Sequence, residues 1–369
     1  MMHLIVVPPA APSARRPGHV RLLGAISISS SSINPLAGET ATLNVSLARP
    51  ARLDVQVVDR DGFVVRTLGP TNGVAGDNLV LWDGRGDSGA IVPDEAWSFR
   101  VVAGGGTDES FPAVNQAAMM AISPLAFSRA TATIRYKLPV PSRVHVQAGT
   151  ISVGPGASPS EGPVLKTIAD REPRGSGFVA EHWNGFDASG SIYIPDLPGF
   201  AVAIAATPLP ENSVITFGNA KRPFLDYAAH RIGQSLFPQR RPSAHHTGLD
   251  VFHDVAPNMT LSPLRAVERQ VRGTVWSVSD PLLRFRLRVN GPTATAFQHQ
   301  PGKIFLFIDA HLVATIDAKA GTEPFDVRLP DNDEHRIAVN WRSDYGPVAV
   351  AVARVQLASA SKVRSEQVP

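Results

Sequence analysis

The ten residues His245-His246-Thr247-Gly248-Leu249-Asp250-Val251-Phe252-His253-Asp254 form the most suggestive polar cluster in the sequence. His246 and Asp250 offer a neutral imidazole and a carboxylate, a donor pair that holds zinc and leaves room for an activated water. On that reading His245, His246, Asp250 and His253 are candidate metal ligands and the chain is a metal-dependent hydrolase. The competing reading is a polar interdomain segment whose histidines hydrogen-bond to backbone. Asp59, Asp61 and Asp87 form a second group, and paired carboxylates can do acid–base work. All three stand close to glycines, where turn aspartates of a β-protein also stand. The sequence holds no Gly-x-Ser-x-Gly, no Gly-x-x-x-x-Gly-Lys-Ser/Thr and no His-Glu-x-x-His. With no cysteine, it has no disulfide, thiolate nucleophile or Cys-ligated metal.

A third candidate is an adhesion signal. Arg85-Gly86-Asp87-Ser88 lies inside Trp82-Asp83-Gly84-Arg85-Gly86-Asp87-Ser88-Gly89 and spells an integrin-type tetrapeptide. The elements around it argue for a turn instead. Residues 40–57, TATLNVSLARPARLDVQV, align without a gap on residues 131–148, TATIRYKLPVPSRVHVQA. Val65-Arg66-Thr67-Leu68 then answers Leu165-Lys166-Thr167-Ile168, and Trp82-Asp83-Gly84 answers Trp183-Asn184-Gly185. Both copies continue to Ser-Gly, yet Arg85 becomes Phe186 and Asp87 becomes Ala188. What persists is what a turn needs: a Trp anchor, an Asp or Asn, and glycines free to take φ > 0. Trp82, Gly84, Gly89, Trp183, Gly185 and Gly190 are therefore the expected anchors of a repeated unit.

Within each copy, apolar residues alternate with polar ones, as in Leu43, Val45, Leu47 and Leu53, Val55, Val57, a period of two that puts one strand face in a core. Asp61-Gly62 between apolar runs signals a hairpin, and the second copy carries a Gly/Pro/Ser-rich loop over 149–162 at that place. Together with 32 Pro and 30 Gly, this predicts short strands and turns, not long helices. The strand pattern, the Val/Leu-Arg/Lys-Thr-Leu/Ile strand and the Trp-(Asp/Asn)-Gly-x-x-x-Ser-Gly turn resemble the immunoglobulin-like domain of flagellar hook-capping (FlgD-like) proteins. That module recurs in bacterial secreted and surface proteins. The family usually has an acidic residue two after the Gly. Asp187 keeps it, whereas Gly86 replaces it in the first copy.

A further β pattern follows, with strand candidates at Gly273–Val278, Phe285–Val289, Ile304–Ile308, Leu312–Ile316, Phe325–Leu329, Arg336–Trp341 and Val348–Val355. Its Ile308-Asp309-Ala310-His311-Leu312-Val313-Ala314-Thr315 and Asp333-Glu334-His335-Arg336-Ile337 runs are similar to a common bacterial Ig-like module. The His-x-x-x-Asp at His246 and Asp250 resembles half of the zinc site of lysostaphin-type metallopeptidases, but the His-x-His those enzymes also need does not occur downstream.

The expectation is an all-β chain of three tandem antiparallel immunoglobulin/fibronectin-like sandwiches. They fall at 29–105, 126–218 and 259–357, with an extension over 1–28, linkers over 106–125 and 219–258, and a tail over 358–369. The formal charge of +3 is too small to mark a nucleic-acid binder, and no apolar run reaches the ~20 residues of a membrane span. The first residues lack the basic region of a signal peptide. Export, to an extracytoplasmic or cell-surface location, is implied by domain type alone. The expected function is non-enzymatic, without a cofactor: a structural or adaptor protein that assembles other proteins, with strand edges open to self-association. An accessory subunit of a filament or electron-transfer assembly fits this description. The alternative is a carbohydrate- or peptidoglycan-binding protein, for which the five Trp would have to form an exposed row.

Overall fold

In β3 (Ala41–Leu47) the residues Ala41, Leu43, Val45 and Leu47 are buried while their neighbours are half-exposed, as the alternation predicts. The computed structural model repeats this pattern along an all-β chain. It describes residues 21–60, 62–106, 108–110, 119–151, 162–221, 224, 227, 258–264, 266–270, 274–290, 302–317, 324–343 and 348–358. The candidate ligands His245, His246, Asp250 and His253 lie outside these residues, as does Asp61.

The first sandwich comprises β1 (Leu23–Ile28), β2 (Ser32–Ile33), β3, β4 (Ala51–Val58), β5 (Val64–Thr67), β6 (Thr71–Gly73), β7 (Gly76–Trp82), β8 (Ala96–Ala103) and β9 (Asp108–Ser110). Sheet β1-β3-β7 packs on a second sheet that contains β5-β4-β8. Between them Trp82 meets Trp97 and Phe99 edge-on, with centroids 6.2 and 5.9 Å apart. The second sandwich repeats the plan with β10 (Met120–Ile122), β11 (Ala126–Ser128), β12 (Thr133–Leu138), β13 (Ser142–Thr150), β14 (Val164–Arg174), β15 (Gly177–His182) and β16 (Phe200–Pro208). Its sheets are β11-β12-β15 and β10-β16-β13-β14, so each strand of the aligned sequences occupies the same place in its own sandwich.

The next strand leaves that sandwich. β17 (Ser213–Thr216), inside the segment expected to close the second unit, pairs antiparallel with β8 and parallel with β2. Val214 lies opposite Trp97 and is fully buried in the first core. Phe224 and Tyr227, from the segment expected to be a linker, pack there too, with Tyr227 5.6 Å from Trp97. The first sandwich is completed by chain that lies beyond the second.

The third sandwich comprises β18 (Asn258–Pro263), β19 (Val267–Gln270), β20 (Thr274–Val278), β21 (Leu282–Asn290), β22 (Gly302–Ile308), β23 (His311–Asp317), β24 (Pro324–Arg328), β25 (Glu334–Ser343) and β26 (Val348–Leu357). Sheet β18-β21-β24 faces the six-stranded sheet β19-β20-β26-β25-β22-β23. The β20–β26 pairing is parallel, the second departure from an all-antiparallel plan. The six-stranded sheet is apolar on both faces. Trp341, Ala351 and Val355 point into the third core, whereas Phe307, Ala338, Val350 and Val352 join the core of the second sandwich.

β17 can be locked to β8 chemically. The Ser98 and Ser213 hydroxyls are 2.8 Å apart across β8 and β17, and the chain has no other thiol to interfere. Ser98→Cys combined with Ser213→Cys is expected to oxidise within one chain, giving a faster-running monomer on a non-reducing gel. Failure to oxidise, or oxidation only between chains, would contradict this pairing.

Candidate functional sites: the repeat turns and the domain junctions

The Trp-Gly turn is built identically in both copies. The Trp82 indole donates to Arg85 O at 3.0 Å, and the Trp183 indole to Phe186 O at 2.9 Å. Asp83 and Asn184 each accept, at 3.1 Å, the N–H two residues on. Asp87 N donates to Val65 O and Ala188 N to Leu165 O, which fastens each turn to the neighbouring strand. Gly84 and Gly185 have φ of +70° and +87°. A Cβ at Gly84 would lie 2.2 Å from Pro35 Cγ, and one at Gly185 2.2 Å from the Tyr193 ring. Gly89 and Gly190 also have positive φ but face open space.

This geometry bears on Arg85-Gly86-Asp87. Arg85 donates to Gly89 O at 2.8 Å, and Asp87 accepts Thr67 N–H at 3.0 Å. Both side chains fold back onto their own sandwich. The acidic position of the second copy is buried: Asp187 accepts the N–H groups of Ser189, Ser191 and Ile192 and the Ser189 hydroxyl. Asp59 is buried as well and accepts Phe63 N–H at 2.9 Å, a turn contact. Of the five Trp, Trp82, Trp97, Trp183 and Trp341 are buried and Trp276 is half-buried, so they form no exposed row. Among the described residues no His/Cys/Asp/Glu group of three or more could hold a metal.

Sequence reasoning passed over the polar groups at the two junctions. Between the first and second sandwiches, Glu95 is 2% exposed and receives Arg143 from β13 and Arg60 from the first sandwich. Arg143 also donates to Ala96 O at 3.2 Å. Thr216 of β17 accepts the Trp97 indole N–H at 2.9 Å. A cleft of about 700 Å³ opens beside this group, lined by both signs of charge, including Arg60, Glu95, Glu172 and Arg174. Between the second and third sandwiches, fully buried Asn340 of β25 replaces a missing strand beside β14. Its Oδ1 accepts Val164 N–H at 2.8 Å and its Nδ2 donates to Val164 O at 2.7 Å. Thr274 N–H donates to Ser191 Oγ at 3.2 Å, so the repeat turn itself touches the third sandwich.

His335, buried at the start of β25, is held at 3.0 Å by Asp309 on Nδ1 and by Asp331 on Nε2. Burial works against its charged form, but the two carboxylates outweigh this and raise its pKa above the ordinary 6.5. Burial would raise the Asp309 pKa, yet His335, Arg336 N–H and the Arg336 charge hold it below 3.8. His335 thus adds stability that is complete below its unfolded pKa and is lost as pH rises through the folded one. Asp309 adds stability that is present above its unfolded pKa and is lost as pH falls through its lowered folded value.

Two predictions follow from this geometry. Gly84→Ala is expected to cost about 2–4 kcal/mol, from φ strain plus the clash with Pro35, and Gly89→Ala about 1 kcal/mol from strain alone. Denaturant titration compares them, and equal losses would contradict the packing argument. Titrating stability with pH, the wild type is expected to weaken as pH climbs above about 6.5. His335→Gln should flatten that limb, and an unchanged slope would show that His335 is not the titrating group.

Comparison with known proteins places the first unit. Among solved structures, the tetra-tandem repeat from the extending region of a large adhesion protein covers 90% of this chain and 73% of its own, at 10% identity and TM-score 0.20. The fibronectin(III)-like modules of Clostridium thermocellum CbhA cover 92% and 96%, at 7% identity and TM-score 0.21. A 1.5-MDa bacterial ice-binding adhesin covers 92% and 100%, at 14% identity and TM-score 0.18. Likeness this distant carries no weight for function. No curated protein sequence matches significantly. Residues 30–107 match the family model described as the FlgD Ig-like domain, which puts the first sandwich, and not the chain as a whole, in that family.

Proposed function

We propose that the chain is a non-enzymatic scaffold that fixes the separation and orientation of its sandwiches within an extracytoplasmic or cell-surface assembly. The observation that carries this reading is the construction of the junctions. One is closed by a strand that follows the second sandwich and docks into the first, with a buried Arg–Glu–Arg group, the other by a shared apolar core and the Asn340–Val164 pair. Flexible beads on a string would leave such surfaces wet and polar. A spacer that must hold partners at a set distance needs them buried. The partners are other proteins, and the outward strand edges of β7 and β15 are open to pairing with a further chain.

The test uses the absence of native cysteine. Spin labels at exposed positions, Asp77→Cys in the first sandwich and Arg328→Cys in the third, report one distance per molecule. A single narrow distribution is expected, broadening when Asn340→Leu unseats the second junction. A broad distribution in the parent chain would rule out the rigid-scaffold reading.

A further inference from the structure

The outer face of sheet β18-β21-β24 carries a feature that the scaffold reading does not use. β21 is the central strand, and its inward residues Leu283, Phe285 and Leu287 are buried in the third core. Its outward residues Arg284, Arg286 and Arg288 are all exposed. Alternate residues of one strand share a face, so the three Cα atoms are spaced by roughly 6.8 Å, twice the rise per residue. Arg328 of β24 continues the row opposite Leu282, and it too is exposed.

The charges on this face are not balanced. Arg284 is paired in fork geometry with Asp326, at 2.9 and 3.2 Å. Arg286 lies beside Ser262 and Arg288 beside Thr260 on β18, and Arg286 beside Pro324 on β24. Neither makes an ion pair among the described residues, nor does Arg328. Four arginines against Asp326 leave three positive charges, as many as the formal net charge of the entire chain. Like charges side by side on one strand face repel, and a solvated sheet face usually alternates signs or uses Thr and Ser. A row of guanidinium forks instead suits a ligand with repeated oxyanions, which each fork can grip with two hydrogen bonds.

We infer that this face binds a linear acidic polysaccharide, carrying sulfate or carboxylate groups along its length. Three of the four arginines follow one strand and are flanked by Thr260, Ser262 and Asp326, which suits a chain laid along the strand more than a membrane plane. No aromatic side chain points outward among the described residues of β18, β21 and β24, so the face lacks the stacking platform of a single-strand nucleic-acid binder. Leu282, exposed at the end of the row, gives the sugar rings an apolar contact. The inference holds whether or not the chain acts as a rigid spacer, because it concerns one face of one sandwich.

Heparin is the probe, titrated against the full chain by fluorescence anisotropy at low salt. Binding is expected to weaken steeply with added salt, because neutralising several charges releases their counterions. Arg286→Gln combined with Arg288→Gln should lower affinity at least about tenfold, whereas Arg135→Gln with Lys137→Gln, exposed cations on β12 of the second sandwich, should change it less than about twofold. Arg286→Lys with Arg288→Lys, which keeps the charge and removes the fork, should fall between. All four side chains are exposed, and matched thermal melts check that the variants fold. No binding by the parent chain, or equal losses from the two Gln pairs, would overturn the inference. Tighter binding of a single-stranded oligonucleotide or of anionic vesicles, lost in the same Arg286/Arg288 variant, would overturn the assignment to a polysaccharide.

Discussion

The outer face of the six-stranded sheet cannot be left in water, and the arrangement of the second and third sandwiches depends on that. Phe307, Ala338, Val350 and Val352 stand on it, all less than a tenth exposed. Baring a Phe or Val side chain costs about 1.5–3 kcal/mol, so separating the sandwiches would be heavily penalised before any polar contact is counted. Asn340 sits at the centre of this apolar face and is fully buried. It is tolerated because both ends of its amide are used on Val164, whose own backbone groups would otherwise be orphaned. Apolar burial supplies the strength of the joint. The amide sets its register.

The other junction reaches the same end with different chemistry. Glu95 is nearly sealed from solvent between Arg60 and Arg143. A buried ion group of this kind adds little net strength, but removing one partner strands a charge and costs about 3–5 kcal/mol. It therefore specifies one arrangement and penalises others. β17 tightens the joint, because it follows β16 (Phe200–Pro208) after a short connection and is inserted between β2 and β8 in the sheet of the first sandwich.

These contrasts explain what could be read from the sequence. The repeat, the hairpins and the Trp-Gly turns were legible because their determinants lie within a few residues: Trp82 is held by Arg85 O, and Asp83 by the N–H two residues on. The partners of β17 were not, since a four-residue strand carries no record of which edge it joins. The Val-Ala alternation of β26 marks a strand, yet it hides that Val350 and Val352 face the core of the second sandwich while Ala349 and Ala351 face that of the third. Arg143, Asn340 and His335 gave no signal, because a polar residue inside a strand looks solvent-facing until its distant partner is known. The arginines of β21 were passed over for a related reason. Strict alternation marks them as the outward face, and the excess charge emerges only when Arg328 is brought alongside.

The second junction also reaches one of the two repeat turns. Read as sequence, the loss of Arg85 and Asp87 from the second copy argues that the first copy's tetrapeptide is incidental. In the structure the second turn stands beside the third sandwich. Ala188, Ser189 and Ser191 line a small cavity of about 190 Å³ against Met259, Leu261 and Trp276 of the third sandwich. Ala188 itself is exposed there, and Thr260, Thr274 and Arg354 share the lining, so the gap does not exclude a charge at position 188. Phe186 packs on Tyr193, with centroids 5.4 Å apart. The second turn, without those charges, stands at a joint. In the first turn Gly89 O and Thr67 N–H engage Arg85 and Asp87. Arg85 and Asp87 are thus engaged within their own sandwich and absent from the second copy, and both facts count against an adhesion motif.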